Sequence, residues 1–183
     1  MTDVTLMAYL GGILIIAAIT DIRSQRIPNM LTFTTMVLSL LYHIQGSGLH
    51  GLLFSLSGLA LGLAFFMLPY LMGGMGAGDV KLLGAVGAAL GPKGVFVAAL
   101  CTALVGGVYA AALLLIKYKD CKGLIARYTT TLKIYASTGE LFTIPAGEKE
   151  KPPKLCYGVA IAIGTLGAIY LHTTNNSIVT LFL

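Results

Sequence analysis

The chain has 183 residues, of which 57% are hydrophobic and only 10% charged, with a formal net charge of +5. A soluble domain carries about a quarter charged residues, so this composition excludes a water-facing globule, and the placement of the basic residues described below gives no nucleic-acid interface. Cys101, Cys121 and Cys156 lack metal-ligand spacing and His43, His50 and His172 lack a Glu or Cys partner, so no disulfide framework, metal or other cofactor is assigned.

The first apolar run, Val4 to Thr20, is near the roughly 20 residues that span a bilayer core. No Lys or Arg precedes it and no small-residue cleavage site follows it, so it is read as a retained helix rather than a secretory signal. A short polar loop, Asp21 to Asn29, leads to a shorter second helix at Met30 to Tyr42 and a third at Gly51 to Met72. Between Leu82 and Ile116 the apolar run is broken only by Gly91-Pro92-Lys93-Gly94. That sequence predicts a tight turn, because Pro cannot continue a helix and Gly permits turn dihedrals, and it yields helices four and five. Helix six is placed at Cys156 to Leu171. The expected fold is a single all-α domain, a bundle of six transmembrane helices in the lipid bilayer.

All but Lys93 of the 12 Lys and Arg residues fall in alternate loops, with Arg23 and Arg26 in the first, Lys81 after the third helix and the others between the fifth and sixth. This asymmetry puts those loops in the cytoplasm and both termini outside. Within 117–154, Leu124, Tyr128, Leu132 and Tyr135 recur at helical spacing with Lys122, Arg127 and Lys133 elsewhere on the turn. That pattern predicts an amphipathic helix on the inner leaflet, anchored to anionic lipid, with substrate docking as an alternative use. The segment Gly147 to Lys154 reads as a surface loop. Helix four, Asp79 to Leu90, is only about 18 Å long against a hydrocarbon core of roughly 30 Å. Either its external turn is sunk into the membrane or its Asp79 end is recessed from the cytoplasm. Glycine pairs in helices three to six, such as Gly58 with Gly62 and Gly164 with Gly167, let backbones approach, for packing or for a groove between helices.

Of the 7 acidic residues, Asp3 lies near the N-terminus and Asp120, Glu140, Glu148 and Glu150 in the polar loop, which leaves Asp21 and Asp79 at the bundle. An ionisable group at the membrane boundary is costly and marks a functional candidate. Two carboxylates held close cannot both ionise cheaply, so one keeps its proton, which is the working state of an aspartyl protease. Spacing alone leaves two ordinary ion pairs, Asp21 with Arg23 and Asp79 with Lys81, equally open. The run Gly73-Gly74-Met75-Gly76-Ala77-Gly78-Asp79 offers bare backbone on which an extended peptide can lie, Gly76 and Gly78 nearest the carboxylate, or a helix-breaking hinge. It fits neither glycine-rich phosphate pattern. The same carboxylates would serve a proton- or ion-coupled transporter, which needs a polar path to the outside, or be structural in a non-catalytic assembly subunit.

The run Asp21-Ile22-Arg23-Ser24-Gln25-Arg26-Ile27-Pro28-Asn29 after a first helix, followed by Gly76-Ala77-Gly78-Asp79-Val80-Lys81, resembles the type IV prepilin peptidases, membrane aspartyl proteases of the Gly-x-Gly-Asp class. The segment Tyr157-Gly158-Val159-Ala160-Ile161-Ala162 is similar to the small members that serve tight-adherence (Flp) pili, although Cys156 stands where those often have Pro. The resemblance implies that Asp21 and Asp79 are the catalytic pair and that the enzyme removes a short basic leader from prepilins in the cytoplasmic (inner) membrane; Arg23 and Lys81, beside them in sequence, are expected to tune the charge nearby. Larger relatives carry a cytoplasmic segment with paired cysteines that is associated with methylating the new N-terminus. Here the first cytoplasmic loop is too short for it, and no separate methyltransferase domain is expected.

Overall fold

The computed structural model describes residues 4–71, 74–116, 130 and 157–174. Apart from Thr130, the expected surface helix and loop within 117–154 lie outside the described residues, as do Cys121 and Cys156. The chain divides into two compact units, Met1–Gly107 with Cys156–Leu183, and Val108–Leu155, and every contact discussed below belongs to the first. The described structure is all helical: α1 (Val4–Ser24), α2 (Asn29–Leu71), α3 (Ala77–Ile116) and α4 (Tyr157–Thr174). Three of these, α1, α2 and α3, are long and apolar enough to cross a membrane, and α4 holds a shorter apolar stretch.

At 1.5 Å per residue, α2 would be about 65 Å long if straight, twice the hydrocarbon thickness. It is not straight. Ser47 (φ −142°, ψ 15°) and Gly48 (φ 57°, ψ −132°) leave the helical region and divide it into two limbs. In α3 the break falls at Gly91 (φ 73°, ψ −177°), a conformation that only glycine adopts readily. Both breaks fall where the apolar pattern predicts a boundary, between Tyr42 and Gly51 and within Gly91 to Gly94. The helix ends differ from expectation. The second helix runs past Tyr42 to the Ser47 break, α3 begins at Ala77, ahead of Asp79, and α4 runs from Tyr157 to Thr174. The first helix continues beyond Thr20 to Ser24 and is closed by Gln25, whose left-handed φ of 51° turns the chain while its N–H donates to the Asp21 carbonyl at 2.8 Å.

Many large apolar side chains point outward, among them Ile15, Ile16, Ile19 and Ile22 of α1 and Leu53, Leu56 and Leu68 of α2, and the buried face of α2 is mostly small and hydroxylated. On α2 the buried positions are Thr32, Thr35, Met36 and Ser39 before the break and Gly51, Ser55, Gly58, Gly62 and Phe66 after it. Both limbs pack on the first limb of α3, which is buried on every face from Leu82 to Ala89. A Cβ at Gly58 would run into the Gly87 carbonyl and one at Gly87 into the Gly58 carbonyl, so backbone touches backbone there. The same close approach joins Gly62 to Leu83 and Gly84. Helices in lipid associate through such close packing of small residues, because lipid is as apolar as any side chain. Ser55 Oγ donates to the Ala88 carbonyl at 2.7 Å and His43 Nε2 to the Ala89 carbonyl at 3.0 Å, which ties both limbs of α2 to the far end of this central helix.

Candidate active site

On α1 the inward stripe reads Leu6, Leu10, Leu14, Ala17 and Asp21, spacings of three and four residues that keep one helical face toward the bundle. The carboxylate therefore occupies the last core position of its helix. It is 6% exposed, and the N–H of Gly158, at the start of α4, donates to its Oδ2 at 2.9 Å. Asp79 lies in the first turn of α3 and is 8% exposed. Its Oδ2 accepts the Gly76 N–H at 3.3 Å while its own N–H donates to the Gly76 carbonyl at 3.1 Å. Gly76 is thus the N-cap residue and Asp79 the N3 side chain that reaches back to it, half of a capping box.

Two contacts bring these helix ends together. Ile27, just after α1, is buried against Gly78, where an added Cβ would lie 3.2 Å from the Ile27 Cβ. Lys81 Nζ donates to Asn29 Oδ1 at 2.9 Å and stands 5.3 Å from the centroid of the Phe33 ring. The loop after α1 and the start of α2 are thereby held on the start of α3.

Neither ion pair that the spacing left open forms. Arg23 is exposed, Lys81 turns to Asn29, and among the described residues no cation pairs with either aspartate. The reason is helical geometry. Once Asp21 and Arg23 lie in α1, and Asp79 and Lys81 in α3, each pair is separated by two residues and points to different sides. Gly76 and Gly78 are both at the site, the first holding the Asp79 carboxylate and the second admitting Ile27. Gly158 and Asn29 were not among the expected site residues. Their contacts join positions 137 and 52 apart in sequence, beyond the reach of local periodicity.

Among the described residues the protein is all helical with an apolar exterior, and its two buried aspartates pair with no cation, features that fit a membrane protein. The model of the type IV leader peptidase family matches residues 8–111, more than half of the chain, and the chain belongs to that family. The matched span contains Asp21 and Asp79 but ends before Gly158. Comparison with curated proteins and with solved structures gives no match.

Proposed function

We propose that the chain is an aspartyl endopeptidase that removes the short leader from type IV, Flp-like prepilins at the cytoplasmic face of the inner membrane, with Asp21 and Asp79 as its catalytic pair. The observation that carries this is a pair of buried carboxylates on two helix ends that the Ile27–Gly78 and Lys81–Asn29 contacts join, with amide donors and, among the described residues, no cation. Family membership supplies the substrate class. The breaks in α2 and α3 support six membrane crossings, and the basic residues of alternate loops support placing both termini outside.

In this reading the two aspartates share one proton, since like charges at short range in a poorly hydrated site cannot both persist. The ionised member takes a proton from water as the oxygen attacks the scissile carbonyl, and the protonated member donates to the carbonyl oxygen. Collapse of the tetrahedral intermediate breaks the C–N bond, the leaving nitrogen takes a proton from the pair, and the shared proton is restored. No metal or covalent intermediate is required. Gly76, whose backbone is exposed, offers an edge to the substrate strand, Gly78 lets Ile27 dock beside Asp79, and Arg23 and Lys81 stand at the rim. A coupled transporter is less well supported, because beyond Asp79 the central helix buries Leu82, Leu83, Val86 and Ala89 where that function needs a polar path.

The test is co-expression with a prepilin precursor, followed by leader removal on a gel. Asp21→Asn and Asp79→Asn each abolish cleavage, since general acid–base catalysis contributes about 10²–10⁴-fold and the pair acts as a unit. Asparagine can still accept the amide hydrogen bonds, so both variants accumulate in the membrane. Cleavage that survives either change refutes the assignment. The wild-type rate is bell-shaped in pH, both limbs belonging to the pair rather than to one residue.

A further inference from the structure

The start of α4 does more than cover the site. We propose that Gly158 is a positioning residue, its N–H fixing the Asp21 carboxylate and its missing side chain leaving that carboxylate room; this rests on the reading of Asp21 as catalytic. The Gly158 N–H to Oδ2 bond is buried and 2.9 Å long, with the Val159 amide beside it. Holding Oδ2 against a helix start fixes rotation about the last side-chain bond, and so fixes where the other oxygen points. The first N–H groups of a helix have no partner within it, and a local Ser, Thr or Asp ordinarily caps them. Here one is given instead to a carboxylate on another helix.

Space at this point is tight in one direction only. An alanine Cβ at 158 would lie 2.9 Å from Asp21 Oδ2, 3.0 Å from its Cβ and 3.1 Å from its Cγ, all atoms of one side chain. Rotation about the side-chain bonds swings Oδ2 and Cγ aside, whereas relief at Cβ needs α1 to give by a few tenths of an ångström. The substitution therefore displaces the carboxylate with only a small adjustment of the bundle. The helix start itself is anchored by Tyr157, whose ring lies against Gly106 of α3, 3.5 Å from where a Cβ there would sit. Gly167, on the same helix, has nothing within 4 Å of an added Cβ and is the matched control.

The experiment measures kcat, KM, pH profile and thermal unfolding of the purified full chain in detergent, with a prepilin precursor as substrate. Gly158→Ala lowers kcat on the order of 100-fold, the usual effect of a misplacement near 1 Å, with KM within about threefold, a displaced pH profile and an unchanged unfolding temperature. Gly167→Ala behaves as wild type. In an Asp21→Asn background Gly158→Ala has no further effect. A wild-type kcat and pH profile in Gly158→Ala overturns the inference, as does a loss of activity that tracks a lowered unfolding temperature without any displacement of the profile. Should Gly158→Ala fail to accumulate, Tyr157→Ala carries the test: it loosens the start of α4 without touching Asp21, and an undisplaced pH profile there overturns the inference equally. Cleavage by Asp21→Asn itself is a different result, which removes the aspartyl reading and not merely the role of Gly158.

Discussion

Lys81→Met removes the clamp between the start of α2, where the α1–α2 loop ends, and the start of α3 while keeping most of the apolar stem of the side chain. Two interactions disappear, the 2.9 Å hydrogen bond to Asn29 and the contact with the Phe33 ring. A hydrogen bond from a charged group contributes about 1.5–3 kcal/mol and an exposed cation–π contact about 0.5–1 kcal/mol. Lys81 is only half-buried, so the low ends apply and the clamp is worth about 2 kcal/mol. At a factor of ten per 1.4 kcal/mol, the ratio of docked to undocked loop falls by at most about 30-fold. If docking serves to keep Asp21 beside Asp79, kcat for cleavage of a prepilin precursor falls within that ceiling and KM changes little. Asn29→Ala removes the acceptor and has a similar effect, and the double variant is no worse than either single one, a coupling of about 1–2 kcal/mol. A loss of about 10³-fold or more would place Lys81 in the chemistry itself. Full activity in both single variants would refute the clamp.

Gly58→Ala and Gly87→Ala each force the second limb of α2 off the central helix, at about 2–3 kcal/mol apiece. Because one displacement relieves both clashes, the double variant costs well under the sum in thermal unfolding; strict additivity would mean the two backbones do not share one contact. Among the described residues Ser39 Oγ is fully buried without a hydrogen-bond partner, so Ser39→Ala raises stability by about 1 kcal/mol. A lower unfolding temperature for that variant would show that the hydroxyl makes a bond the structure lacks.

Much of this arrangement is legible in the sequence, for definable reasons. Gly91-Pro92 announces its own break because its backbone requirements are local. Asp21 and Asp79 stand out once every other charge is assigned to a loop. The end of α1 was legible too, but only by carrying the core period through Leu14 and Ala17 to Asp21 instead of stopping the helix at the last apolar residue. What could not be read is tertiary. Nothing near Asn29 in the chain indicates that Lys81 will reach it, and the Tyr157-Gly158 pair looks like an ordinary helix start until α4 is laid against α1.

The two aspartates are arranged against simple stability. Arg23 and Lys81 are each two residues from a buried carboxylate, and a chain selected only to bury those charges would bring the cations round to neutralise them. Instead α1 and α3 extend through both pairs and turn these cations away, while among the described residues the carboxylates receive backbone amides, from Gly158 and Val159 and from Gly76. An amide orients a carboxylate without binding it as an ion pair would, and so leaves its proton exchangeable. The glycines make this possible: by letting α2 and α3 touch backbone to backbone at Gly58 and Gly87, they bury the central helix that carries Asp79 and hold its end beside Asp21. A local choice that sacrifices pairing, supported by a packing scheme that keeps the site closed, is the pattern expected where function rather than folding sets the residue.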